Sequence, residues 1–384
     1  MKLATIVFAT AQSLEGSTTI GRIFPLAKEL EKQGTECFVL ALQSPASAAR
    51  KNIYFVGTLP FRKTEGGKKR LGGLALILNM LATALRTAWA LFRLRPDVVI
   101  ISKPLPANTL GVRLWSWTRP AAKIILDSDD FELTANKLSS IYQRAAIHWS
   151  ERVAAKLAQA IVVASPFLSD HFRQLTQDTK PIHIIPTGLT RMAGPVAPAP
   201  PQNIITYIGS VSVSSGHRVD LLPDILAAVH AAVPQASLLI AGDGDNVSAL
   251  REMFAAKNLS SSVQWRGRFT PSEVEGLLAT TSVIIDPIDD GIANRAKSSY
   301  RVQLAATLGL PVVTSNIGIR PELIPAEFQA RFFAEPAEAN EYADKITYLL
   351  AHPLTAEEQE RLRRHAAAYT WDKLASRYYE ILKV

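Results

Sequence analysis

Arg295, Lys297, Ser298, Ser299 and Arg301 crowd a seven-residue stretch between two apolar runs. The first run, Val283, Ile284 and Ile285, breaks at Pro287. The second follows Gly309 and Pro311 and reads VVT. Apolar runs of this length, split by a polar loop and a helical stretch, predict a strand–loop–helix–strand unit of a parallel sheet. Cations and hydroxyls at a helix N-terminus suit a phosphate, because the free N–H groups and the helix dipole already favour an anion there. A solvated basic turn has the same composition.

Other strand ends carry further candidates. Gly16 and Ser17 open the first helix after ATAQSLEGSTTIGR, where glycine permits close backbone approach and the helix start favours an anion or sugar hydroxyls. Gly209 and Ser210 end the strand in TYIGSVSVSSGHRVDLL, and Gly216, His217 and Arg218 precede its helix, a small-residue loop able to line a diphosphate. LLIAGDGDN puts Gly242, Asp243, Gly244 and Asp245 at a strand end, where the acids either meet a ligand or cap a helix. QWRGRF brings an aromatic ring and Arg268 to another strand end, as a sugar or base contact or as a surface turn.

The densest acidic cluster of the first half is LDSDDFE. Asp127, Asp129, Asp130 and Glu132 follow an apolar strand. Carboxylates in that position suit a general base, a grip on sugar hydroxyls, or oxygen ligation of a divalent cation. Helix capping accounts for one or two of them, not four.

Residues 62–95 form a different kind of segment. Lys68, Lys69 and Arg70 precede an apolar stretch in which Arg86 is the one charge from 71 to 92. Its length approaches a membrane span. It lies between strands of one sheet, however, and Asn79, Thr83, Arg86 and Thr87 interrupt it. The expectation is a helix that packs on the sheet and, with its basic loop, lies on an anionic membrane.

Composition narrows the classes. The chain has 384 residues and a formal net charge of +8. Residues 1–190 hold 24 Lys and Arg against 13 Asp and Glu, a net of +11, while residues 191–384 carry a net of −3. A basic first half points to an acidic partner on that half. The lone cysteine, Cys37, sits in the apolar run CFVLAL, which excludes an internal disulfide and suits a small buried hydrophobe. The opening KLATIVFAT reads as a strand rather than a signal peptide. The histidines show no metal-ligand spacing, and GxGxxG, GxxxxGK[ST] and GxSxG patterns are missing.

Strands and helices alternate twice along the chain. KLATIVFAT, ECFVLAL, NIYFVG, DVVIIS, AKIILDSD, AIVVAS and PIHIIPTG are strands of the first half; NIITYIG, SLLIAGDG, SVQWRG, SVIIDP, GLPVVTS and ARFFAE are those of the second. Helices are expected at about 17–33, 72–94, 217–232, 247–257, 271–280 and 296–308. Continuous apolar runs mean strands buried on both faces. The fold class is α/β: two Rossmann-like, doubly wound parallel-sheet domains facing a cleft. The boundaries fall at 1–188 and 203–365, with a proline-rich linker at 189–202 and a terminal helical segment at 366–384. Ligands of such sheets sit at the carboxyl ends of the strands.

GSVSVSSGHRVDLL, LLIAGDG, VQWRGRF, ATLGLPVVTSNIG and TWDKLASRYYEIL, in that order, resemble the GT-B glycosyltransferases of the retaining group called family 4. The resemblance covers nearly the whole chain. It implies a last helix that crosses back to the first domain, and transfer of a sugar from a nucleotide diphosphate with retained configuration. It also implies a metal-independent reaction, in which basic residues and helix N-termini stabilise the leaving diphosphate. The chain departs from the family pattern at three places. Ser210 and Ser215 stand where relatives commonly have Arg and Lys, and Leu304 stands where they have the second of two glutamates. Arg301 occupies a position that is often Lys, so the phosphate charge would come from Arg301, Lys297 and Arg218. The catalytic-region histidine of many relatives would fall in LDSDDFE.

Together these readings predict a cytoplasmic glycosyltransferase at the inner face of a membrane, with no cofactor and no nucleic-acid partner. Its donor would be a nucleotide sugar held near Gly16, Ser17, Gly209, Ser210, Arg218, Asp243, Arg268, Lys297 and Arg301. Its acceptor would be lipid-linked or a growing glycan, with Asp127, Asp129 and Asp130 at the transferred sugar and Lys68, Lys69, Arg70 and Arg86 at the membrane. A non-catalytic binding subunit and a sugar-nucleotide epimerase of the same fold are the alternative readings.

Overall fold

A computed structural model describes residues 4–45, 51–64, 67–136, 138, 140–190 and 203–383, giving only the backbone of residues 62–64, 67–70 and 215. The chain divides into two compact units. The first comprises Met1–Thr190 with Trp371–Val384, and the second comprises Arg191–Thr370. Most of the proline-rich stretch, residues 191–202, lies outside the described residues.

The first unit contains β1 (Ala4–Ser13), β2 (Thr35–Gln43), β3 (Ile53–Thr58), β4 (Phe61–Thr64), β5 (Gly67–Arg70), β6 (Val98–Ser102), β7 (Lys123–Ser128), β8 (Ala160–Val163) and β9 (Ile182–Ile184). Seven of these form one parallel sheet in the order β3-β2-β1-β6-β7-β8-β9. Ile100 lies opposite Phe8 on one side and Ile125 on the other. All five residues of β6 are buried, as a strand covered on both faces requires. β4 and β5 make a separate antiparallel hairpin that the apolar pattern did not predict.

The expected first helix is α1 (Phe24–Lys32), and its entry turn, Thr19–Ile23, is π-helical. Pro25 has no N–H to offer the Gly21 carbonyl, so regular helix cannot run through this point. The indole of Trp371 donates to that carbonyl instead, at 3.1 Å. Trp371 begins the terminal helix, Trp371–Lys383, whose Leu374, Ala375 and Tyr378 join Ile6, Phe8, Leu26 and Leu30 in one core. α2 (Gly73–Leu94) and α3 (Pro106–Ser116) complete the elements used below.

The second unit holds β10 (Ile204–Ile208), β11 (Ser237–Ala241), β12 (Val263–Gly267), β13 (Val283–Ile285) and β14 (Val312–Val313), all parallel, in the order β12-β11-β10-β13-β14. Two expectations are corrected here. ARFFAE is not a strand: residues Ala326–Phe332 are helical, which stacks Phe328 on Phe332 one turn on, and Phe333 makes an isolated bridge to Thr314. The helix expected over 296–308 is two, Ile292–Ala296 and Tyr300–Leu308. Ser299 breaks it by capping the second helix, its Oγ accepting from the Val302 N–H.

Each sheet reverses its winding once, between β1 and β6 in the first unit and between β10 and β13 in the second. A doubly wound sheet opens a crevice at that reversal, beyond the carboxyl ends of the strands. Gly16 and Ser17 fall there after β1, and Gly209 and Ser210 after β10.

Candidate functional site

In the second unit the reversal lies between Gly209, which follows β10, and Asp286, which follows β13. Asp286 is 1% exposed and is the hub of the site. Arg301 forms a short ion pair with it through Nη1, and Arg320 donates to it from Nε at 3.0 Å. The hydroxyls of Ser299 and Thr314 each donate to it at 3.1 Å. Burial pushes its pKa up, but the two arginines outweigh burial and hold it well below the usual carboxylate range. One carboxylate between two guanidiniums leaves a net positive charge in the interior.

Arg301 is thus not a free cation at the mouth of a helix. Its Nε donates to the Ile208 carbonyl at 2.6 Å, its Nη2 donates to Tyr207 Oη at 3.0 Å, and its guanidinium lies over the Tyr207 ring. The guanidinium nevertheless lies directly beneath Gly209. A Cβ on that glycine would stand 3.2 Å from Arg301 Nη2. Gly242, at the end of β11, lies against the same loop; its φ is +152°, and a Cβ there would overlap the Gly209 carbonyl oxygen. Two strand-end loops thus meet backbone to backbone over a buried cation.

The other donor candidates surround this core at varying depth. Ser210 is exposed and Lys297 half-buried. Arg218 is held by Asp220 at 2.7 Å. Arg268 and Asp243 pair with one another at 2.8 Å on the surface, and Arg268 lowers the Asp243 pKa. His217 is not a second cation. It bridges Ile288, and burial together with Arg301 brings its pKa down to about 2, so the ring is neutral. Leu304 is fully buried.

In the first unit the acidic cluster divides in two. Asp127 is buried, with Arg22 Nη2 at 2.8 Å and Tyr378 Oη donating at 3.2 Å. Arg22 also donates to the Ile185 carbonyl at 3.0 Å, so Asp127 ties α1's entry turn, β9 and the terminal helix together. Asp129, Asp130 and Glu132 instead surround Lys103, at the end of β6. Lys103 Nζ lies 3.5 Å from Asp129 and 3.4 Å from Glu132, and it forms a short ion pair with Asp130. Lys103 is 4% exposed, with a φ of +62° that turns it back beneath the carboxylates. Burial opposes its charge, yet the three acids raise its pKa well above the ordinary value. Burial takes Glu132 the other way, up to about 7 despite Lys103. The exposed Ser17 follows Gly16 in the β1–α1 turn, and the next residue, Thr18, donates to Asp129 at 2.8 Å.

Sequence reasoning missed Arg22, Lys103, Asp286, Arg320 and Tyr378. Lys103 and Asp286 share a signal with Asp127: each follows directly on, or ends, a continuous apolar strand. Among the described residues no group of three or more His, Cys, Asp or Glu side chains could hold a metal ion. Cys37 is buried, which pushes its thiol pKa up to about 12. Arg86 is exposed on α2, while the side chains of Lys68, Lys69 and Arg70 lie outside the described residues.

The family description "Glycosyltransferase Family 4" matches residues 22–190, and "Glycosyl transferases group 1" matches residues 202–352. The chain belongs to the family-4-type glycosyltransferases of the GT-B fold. Solved structures share that fold over the full length. Sucrose-phosphate synthase from Thermosynechococcus elongatus is 15% identical with a TM-score of 0.72, the match covering 100% of this glycosyltransferase and 98% of that chain. HepE from Anabaena, in complex with UDP, is 15% identical with a TM-score of 0.69, over 99% and 100% of the two chains. A curated relative, the gpi3 subunit of phosphatidylinositol N-acetylglucosaminyltransferase from Schizosaccharomyces pombe, is 25% identical over 205 residues. That match spans 52% of this glycosyltransferase and 42% of the relative, less than half of the curated protein's length.

Proposed function

We propose that this glycosyltransferase moves a sugar from a nucleoside-diphosphate sugar to a lipid-linked or growing-glycan acceptor, with retention of anomeric configuration and without a metal ion. The observation that carries this reading is the glycine loop of the second unit backed by a buried, net-positive Arg301–Asp286–Arg320 cluster. A diphosphate over Gly209 and Ser210 would meet backbone N–H groups, with that charge one layer below and Lys297, Arg218 and Arg268 at the rim. Asp243 holds Arg268 in place. As the anomeric C–O bond to the diphosphate breaks, negative charge grows on the leaving oxygen, and fixed cations stabilise that state more than the ground state. The acceptor oxygen attacks from the same face, and its proton passes to the leaving phosphate, so no protein nucleophile takes part.

In the first unit Asp129 and Asp130 are the carboxylates we place at the transferred sugar, with Gly16 and Ser17 beside them. Asp127 acts beneath them, holding Arg22 and the terminal helix. The likeness to the fission-yeast phosphatidylinositol N-acetylglucosaminyltransferase subunit supports a lipid acceptor, and HepE's complex with UDP supports a uridine donor. The chain would then work at the cytoplasmic face of a membrane.

The test is calorimetric titration with UDP, GDP, dTDP, ADP and CMP in the presence of EDTA. Micromolar binding of one nucleotide supports a metal-free donor site. No binding to any would favour a non-catalytic subunit, the reading suggested by the buried Leu304 in place of a family glutamate.

A further inference from the structure

Helix α2 presents the wrong face to solvent for a surface helix. At about 100° per residue, Leu74, Ile77, Leu78, Leu81, Leu85, Trp89 and Phe92 fall within an arc of about 120°. All seven are exposed, Leu74 at 69% and both Leu85 and Trp89 at 62%. The opposite face, with Thr83, Ala84, Thr87, Ala90 and Leu91, is buried. By length and composition α2 could cross a membrane, yet its seat in the unit is too close for that. A Cβ on Gly57 of β3 would overlap Thr83 Oγ1, and one on Gly111 of α3 would lie 2.6 Å from Thr87 Cβ and 2.7 Å from the Ala84 carbonyl. Two glycines let α2 lie flush on β3 and α3, so this helix is part of the unit and its apolar face is an outer surface.

The charge around that face identifies its occupant. From Gly66 to Pro96 the sequence has six cations, Lys68, Lys69, Arg70, Arg86, Arg93 and Arg95, and no acid. Arg86 and Arg93 sit on one flank of the apolar arc, about 100–120° from Leu74. Arg93 is stacked on the exposed Trp89, 5.3 Å from the ring centroid. An apolar stripe bordered by cations and an interfacial tryptophan matches the boundary between acyl chains and anionic headgroups. A second copy of the same positive face would repel the first.

We propose that α2 lies in the plane of an anionic bilayer, with Leu78, Leu85 and Trp89 among the acyl chains and Arg86 and Arg93 at headgroup level. This deepens the lipid-acceptor reading above, because it brings the first unit to the surface on which such an acceptor is held.

The experiment is flotation of the full chain with vesicles of phosphatidylcholine alone and with one-third phosphatidylglycerol. The anionic vesicles are expected to bind at least tenfold more protein, with the excess lost in 0.5 M salt. Leu78→Gln with Leu85→Gln and Trp89→Gln, all exposed positions, should reduce binding at least tenfold while leaving circular dichroism and nucleotide titration unchanged. Equal binding of parent and variant, or no preference for anionic vesicles, overturns the proposal. So does resistance to alkaline carbonate, which marks a spanning helix, or a parent dimer that the variant loses, which marks self-association. Nucleotide titration is read separately, so failure of membrane docking and failure of the donor site are distinguishable.

Discussion

Replacing Arg301 by methionine separates two roles that one side chain holds in this structure. The first is structural. Arg301 forms an ion pair with Asp286 and donates to Tyr207 and Ile208, all in the interior. Breaking a buried pair by removing one partner costs about 3–5 kcal/mol. Arg320 still faces Asp286 in the variant, which puts the loss near the lower end, about 3 kcal/mol. The second unit runs from Arg191 to Thr370. At about 2.1 cal/mol/K per residue its unfolding entropy is roughly 0.4 kcal/mol/K, so its transition should fall by about 8 °C. The second role is electrostatic. A diphosphate above Gly209 would stand roughly 6–7 Å from the guanidinium, and at an effective dielectric of about 20 that is about 2.5 kcal/mol for a unit charge. Affinity for the bound nucleotide should therefore fall about 10- to 100-fold. Arg301→Lys keeps the charge but loses the fork to Tyr207 and Ile208. It should recover most of the affinity and little of the stability. Calorimetry reads both quantities on one sample. If Arg301→Met binds the nucleotide within twofold of the parent while the second unit remains folded, the buried cation has no part in the donor site.

Gly242→Ala should abolish nucleotide binding and destabilise the second unit, because a Cβ there overlaps the Gly209 carbonyl; a fully active variant would show that the two loops do not need this contact. Asp130→Asn should lower kcat far more than nucleotide affinity, since Asp130 belongs to the other unit; equal losses in both would remove it from the transferred sugar. Lys103→Met leaves three carboxylates facing one another and should cost about 3–5 kcal/mol in urea unfolding of the first unit, against little change if the cluster is solvated. Glu132 has its folded pKa raised to about 7. The unfolded chain therefore loses this proton first, so the group's stabilisation is complete below about pH 4.3 and is lost as pH rises through about 7, a change of about 3–4 kcal/mol. Glu132→Gln should flatten stability against pH across that window, and an unchanged slope would assign the effect elsewhere.

The strands were legible because parallel strands buried on both faces write themselves as continuous apolar runs. VVIIS, KIILDS and AIVV appear in the structure where hydrophobicity alone puts them. ARFFAE failed for the matching reason: a run this short, with Phe332 and Phe333 adjacent, fits a helix as well as a strand, and the fold ends a helix at Phe332, stacked on Phe328 one turn before it, leaving Phe333 in an isolated bridge. The hairpin of β4 and β5 was invisible because its strands, FRKT and GKKR, are mostly polar and basic and carry no apolar alternation.

For the site, composition gave the places and burial gave the roles. The strand-end loops around Gly16, Gly209, Asp127 and Gly242 were readable because small or charged residues interrupt apolar runs there. What could not be read was which charges would meet. Arg22 and Asp127 are 105 positions apart, and Arg301 reaches Asp286 only because the strand and the following helix fold back on one another. A cation near a strand end looks the same in sequence whether it meets a ligand or a buried carboxylate. Arg301 reads as the former in sequence and is bonded to the latter in the fold. The distinguishing sign was available in Asp286, a lone acid directly after VII and before proline. An acid at the end of a fully buried strand must find cations inside the fold, because leaving it unpaired costs several kcal/mol. Lys103 after VVIIS carries the same instruction with the opposite charge, and the acids of LDSDDFE are its answer. Read as demands for partners rather than as ligands in waiting, these interrupted strand ends identify the polar groups that shape both crevices.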